Sequence, residues 1–393
     1  MTTRSDANAN VGSPDISLFR GGPLYRSLKA TKLIRPNQLD LHRQIIFTIA
    51  IGWVPLLLII LLFQPQASMS FLRDYRIHSR MLIAVPVLLM GQGLLESRFC
   101  IVVEHLRNAQ LLVDPDLREN ELMVGLRRLR DSALPELVIL LLVGAHSYLS
   151  FSGQLDASAP WLATPTGAGL RLTPAGWYCV LISASIFQFL LGMSLWKWLL
   201  WSTFAFKLSN LRLNLLPAHP DGHGGLGFLG LTPSAFASIA FAASTVIGAT
   251  WRHQILHHNA HLRGFELPAI ALVAIVAALA LLPLVFFVPQ LSALRRKGIL
   301  EYSILGQIEM TEFDKKWITH RAGREAQVLT EIESSNVIDF SQIYDRVKQL
   351  VPIPVERYTL IPLALSIVVP ALPAILAEIP VADVLNDLLK ALR

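Results

Sequence analysis

Long apolar runs separated by shorter polar ones dominate this chain. Seven of them are close to the roughly 20 residues a helix needs to cross a hydrocarbon core. They are Ile45–Phe63, Met81–Val103, Leu134–Phe151, Trp177–Phe204, Phe236–Trp251, Leu267–Val288 and Tyr358–Ile379. Lipid offers no water to backbone amides and carbonyls, so each run must close its own hydrogen bonds, and helix is the state that does so. No strand-like alternation competes with it. The pattern predicts an all-α fold, a polytopic transmembrane bundle of six to seven spans with a small cytoplasmic helical segment. The last run carries Pro362, Pro370 and Pro373. A seventh crossing is expected there, with a re-entrant segment as the alternative.

The polar stretches divide the chain further. Residues 1–44 read as a cytoplasmic tail, 45–290 as the transmembrane domain, and 291–357 as a cytoplasmic helical segment. Residues 358–393 hold the proline-bearing run and an amphipathic helix with Val381, Val384, Leu385, Leu388, Leu389 and Leu392 on one face. Asp114-Pro115-Asp116 marks a helix start. The Leu122, Leu126 and Leu129 that follow, set against Arg127, Arg128 and Arg130, predict an amphipathic helix suited to anionic headgroups.

Composition narrows the class. Hydrophobic residues make up 53% of the 393 and charged ones 16%, where a soluble domain carries about a quarter. That excludes a disordered chain, a nucleic-acid binder and an ordinary soluble enzyme. With the N-terminus inside and every run crossing, 24 of the 34 Lys and Arg fall on the inner side, as the positive-inside rule requires of a cytoplasmic N-terminus. Arg73, Arg76 and Arg80 then sit in one outer loop, against the rule. Cys100 and Cys179 fall toward opposite faces, so no disulfide is expected.

Ionisable groups at membrane depth are costly and mark functional sites. Glu96 and Arg98 in the second run, Glu136 at the start of the third and Lys197 in the fourth all fall toward the inner leaflet. So does the following His219-Pro220-Asp221-Gly222-His223 segment, which leads into Gly224 and Gly225. Their convergence predicts a polar vestibule or ion pathway opening to the cytoplasm. The alternative for Lys197 is a snorkelling side chain among interfacial tryptophans. The letters from Gly225 to Gly230 match a dinucleotide fingerprint, but that motif needs a preceding strand, and here a membrane helix precedes it. Free amides in this loop would instead suit an anion.

His219 and His223 form an H-x3-H pair that could ligate a transition metal, and no other cofactor is expected. His253, His257, His258 and His261 form a second cluster, suited to a metal or to titration near neutral pH.

The run Phe71-Leu72-Arg73-Asp74, then His78-Ser79-Arg80, and His219-Pro220-Asp221 leading to Gly224-Gly225-Leu226-Gly227-Phe228 resemble a group of uncharacterised bacterial inner-membrane proteins. The resemblance implies that location and no activity. The leading expectation is a channel or transporter for a small ion or polar solute rather than an enzyme. The alternatives are a membrane-embedded metal-dependent enzyme acting on lipid, and a scaffold or sensor subunit. The expected partners are the lipid bilayer, further copies of the chain and a protein engaged through 295–357, with no nucleic acid.

Overall fold

The computed structural model describes residues 21–31, 40–113, 115–153, 158–166, 169–319, 331–355 and 357–378. Seven helical segments in it are long and apolar enough to cross a bilayer. These are Leu41–Phe63, Tyr75–Asn108, Leu122–Leu149, Pro174–Ser209, Gly227–His258, Leu262–Val285 and Tyr358–Glu378, spans one to seven below. The protein is an all-α membrane bundle. Its one departure among the described residues is a small antiparallel hairpin, Ala163–Thr166 with Gly169–Leu172, in the segment before span four. The C-terminal amphipathic helix expected after 379 and most of the N-terminal tail lie outside the described residues.

Hydrogen bonds between connecting segments sort them into two ends. At one end, Trp161 bonds to Asp74, Ser158 to His253, and Glu378 to His261. At the other, Gly22 bonds to Asp131, Leu112 bridges Leu213, Gln290 donates to Leu211, and Val351 donates to Gly222. The two sets share no segment, which is what seven consecutive crossings require. Tyr358–Glu378 therefore runs from the Val351 end to the His261 end. It lies against span five, where Gly248 lets the Pro370 carbonyl approach so closely that a Cβ would sit 2.5 Å from it. Gly91 does the same for spans two and five, since a Cβ there would collide with Ser238.

Proline explains a central part of the packing. Pro55 has no N–H, so the Ile51 carbonyl four residues earlier loses its helical donor, and span one breaks between Gly52 and Val54. The Tyr178 hydroxyl of span four donates to that carbonyl at 2.6 Å, and Ser183 donates to the neighbouring Gly52 carbonyl. Pro283 likewise frees the Leu279 carbonyl of span six, and the Trp198 indole, again from span four, donates to it. Span four thus answers the backbone defects of two neighbours. Its tryptophans are not all the interfacial belt allowed for above: Trp201 is 3% exposed and packs edge-on to Phe99, beside Phe204.

Helix Pro115–Asp131, whose second half opens span three, starts at Pro115 as its sequence predicts. Leu122, Met123 and Leu126 are buried, and Gly125 faces Lys207 of span four. Leu129 stays exposed, so the buried face is narrower than the leucine spacing suggested. Helices Val288–Asp314 and Glu331–Gln349 pack as a hairpin, with Phe340 against Gly306 and Val347 against Gly298.

Candidate functional site

Span two presents Gln92 and Glu96 one helical turn apart, and residues spaced by four share a face. Glu96 is 2% exposed. On span four, Lys197 donates from Nζ to Gln92 Oε1 at 2.6 Å. Of the sequence-predicted residues, Lys197 of span four thus reaches the face of span two on which Glu96 lies one turn further on. Lys197 is turned toward Gln92 of the neighbouring span. Arg98, two residues past Glu96, is half-buried on the same helix.

A cavity of about 320 Å³ lies beside this group. Gln44 and Thr48 of span one, Gln92 of span two and Lys197 of span four supply its polar atoms, and Phe47, Leu89, Ile186 and Met193 are among its apolar walls. Its remaining wall comes from the short helix Gly22–Ala30, through Leu24 and Leu28. That helix begins against carboxylates: the Leu24 amide donates to both Glu136 oxygens at 3.0 Å and the Gly22 amide to Asp131 at 3.2 Å. Helix N-termini carry unbonded amides and partial positive charge, so two acids from span three hold the helix over the cavity.

The glycine loop forms a second group at the same end. Gly222, Gly224 and Gly225 have φ of +68°, +66° and +99°, which only glycine adopts without strain. The curled backbone aims its amides inward at Asp221, which accepts from His223 at 2.8 Å, Gly225 at 3.1 Å and Gly227 at 2.8 Å. His219 Nδ1 lies 2.8 Å from the same carboxylate. Burial opposes ionisation of Asp221, but these amides and the imidazole outweigh it and hold the carboxyl below its ordinary pKa. The loop is a backbone nest whose anion is its own aspartate. The amides expected to receive an outside anion are thus already taken. His223 is buried, with Nδ1 3.1 Å from the Val351 carbonyl, while the Val351 amide returns a bond to Gly222. The loop so clamps the strap that leads into span seven.

Among the described residues, no three His, Cys, Asp or Glu are grouped to hold a metal ion. Within the pair, His219 Nδ1 turns to Asp221 and His223 Nδ1 to the Val351 carbonyl. The second histidine cluster also divides. The His253 ring lies 4.6 Å from that of His257 and 5.7 Å from that of His258, whereas His261 turns to Glu378 at 3.3 Å. Gln92 and Gln44 join the site unannounced by sequence, since neutral amides in an apolar run carry no charge signal. Their only mark was polarity among aliphatics.

Comparison with protein-family models, with curated proteins and with solved structures finds no match to the chain.

Proposed function

We propose that the protein is a membrane transporter for a small amphiphilic solute, bound between spans one, two and four. The observation that carries this reading is Lys197: an ammonium deep in an apolar helix, bonded to Gln92, beside Glu96, and lining a cavity. Ionisable groups at such depth accompany substrate and ion pathways. Apolar walls with a few convergent polar groups are the usual make-up of a ligand site, and about 320 Å³ is at the small end of that range. Lys197 and Gln92 would hold the solute's oxygen-bearing head, and Phe47, Ile186 and Met193 its apolar body. The helix Gly22–Ala30 covers the cavity and would move for the solute to pass. By the charge rule the cavity opens toward the cytoplasm of a bacterial inner membrane, with Glu136 as latch for that helix. Arg98, His219, Asp221, His223, Gly224 and Gly225 belong in this proposal to the frame around the pathway.

The test is uptake of radiolabelled short- and medium-chain carboxylates into proteoliposomes holding the purified protein. Saturable uptake by wild type, lost in Lys197→Met and reduced in Gln92→Leu, is expected. Absence of uptake and of any Lys197-dependent binding across the series would overturn the proposal.

One observation favours a second reading, a subunit that docks another protein. Leu300, Ile304 and Ile308 recur every four residues along helix Val288–Asp314 and are 53–65% exposed. If they face a partner, Ile304→Asp will release a co-purifying protein or break an oligomer without changing uptake.

A further inference from the structure

The end of the bundle opposite the glycine loop holds a second cavity, of about 620 Å³. It lies between the short helices that follow span one, the segment before span four and the last turns of span five. Three guanidinium groups line it: Arg73 and Arg76 from the first region and Arg252 from span five. His253 and His257 stand beside Arg252, and Ser158 meets His253 Nε2 at 3.0 Å.

Charge in this pocket is one-sided. Its single lining carboxylate among the described residues, Asp74, is already committed. Arg76 grips Asp74 through two bonds, at 3.1 and 2.9 Å, and the buried Trp161 indole donates to it at 3.0 Å. Burial works against ionised Asp74, yet Arg76 and Trp161 hold its carboxyl below the ordinary value, so it stays an anion paired with Arg76. Arg73 and Arg252 are left as the surplus positive charge. Arg252 is placed by Tyr75, whose ring centroid lies 5.1 Å from its guanidinium carbon. By the charge rule these arginines stand on the side where basic residues are disfavoured. A positive concavity there has a physical motive if it receives an anion.

We propose that this pocket is a binding site for a phosphate-bearing group. A guanidinium fork matches phosphate oxygens in pairs, and forks reaching in from two chain segments suit a group with several acceptor oxygens. The volume exceeds that of inorganic phosphate and leaves room for an attached alcohol. Exposed Met69 and Leu256 line the same wall, so a phosphate carrying apolar chains would keep them at the mouth. The inference is independent of the Lys197 cavity, which lies at the other end.

The experiment uses the full chain in detergent for glycerol 3-phosphate, and in nanodiscs of phosphatidylcholine with or without phosphatidylglycerol for the lipid form. Binding is read by calorimetry for the first and by native mass spectrometry for the second. The variants are Arg73→Gln, Arg252→Gln and the double substitution, with Arg296→Gln on the distant hairpin as a charge-matched control. Thermal unfolding is checked for each. Saturable one-to-one binding is expected, weakened about tenfold by either single variant, as loss of a charged hydrogen bond implies, and unchanged in Arg296→Gln. Binding of glycerol 3-phosphate identifies a soluble ligand, and retention of phosphatidylglycerol alone identifies a lipid headgroup. No binding of either, or equal binding by wild type and the double variant, overturns the proposal.

Discussion

Removing the carboxylate at position 221 should loosen the clamp between the glycine loop and the strap into span seven. Asp221 accepts from three backbone amides, and its side chain is 22% exposed. A hydrogen bond to a charged group contributes about 1.5–3 kcal/mol. Water can reach a side chain with that exposure and recover part of the loss. Asp221→Ala is therefore expected near the low end, about 3–4 kcal/mol in all, and Asp221→Asn, which keeps one acceptor oxygen, at about half. Unfolding entropy scaled to this chain length turns 3 kcal/mol into a fall of about 4 °C in melting temperature, measured by intrinsic fluorescence in detergent. The pH dependence has a definite sign. The folded pKa lies below the unfolded value of about 3.9, so the stabilisation is whole above that value and fades as pH falls through the folded pKa. Wild type should approach Asp221→Asn in stability below about pH 4. If Asp221→Ala melts within about 1 °C of wild type at neutral pH, the aspartate does not hold the loop and the reasoning fails.

Gly225→Ala places a Cβ at φ +99° and 3.3 Å from Leu111, and should cost about 1–3 kcal/mol in the same melting assay. Tyr178→Phe and Trp198→Phe each strip a donor from a proline-freed carbonyl. Each should cost about 0.6–1.7 kcal/mol, with the two effects nearly additive because the carbonyls belong to different spans. Gly248→Val drives a side chain into the Pro370 backbone, and the overpacking should cost about 1–3 kcal/mol. Disulfide trapping between cysteines introduced on spans five and seven should become slower in that variant.

The spans were legible because a run of aliphatics long enough to cross a bilayer has few other uses. Glu96 and Lys197 were legible as charges where charge is expensive. Gln92, which accepts from Lys197, was not, because an amide costs less at that depth and stands out less. The role of Asp221 was hidden for a different reason. Its donors are backbone amides turned inward by three positive-φ glycines, and a sequence records the glycines but not the direction in which the amides point. Arg73 and Arg252 lie far apart in the chain and meet only because span five ends beside the start of span two. The histidine spacing marked His253, His257, His258 and His261 as one cluster. It did not show that the helix stops at His258 and sends His261 to a different neighbour.

The proline rescues also bear on biogenesis. Ile51 is separated from Tyr178 by 127 residues, so the first span leaves the ribosome with an unanswered carbonyl and its donor is not yet made. Until span four arrives, that oxygen needs a surrogate in the insertion machinery or a retained water. The Leu279 carbonyl has no such wait, since Trp198 is already in place when span six emerges. Tyr178→Phe should therefore slow maturation of the nascent chain more than Trp198→Phe does, even where the finished proteins are equally stable.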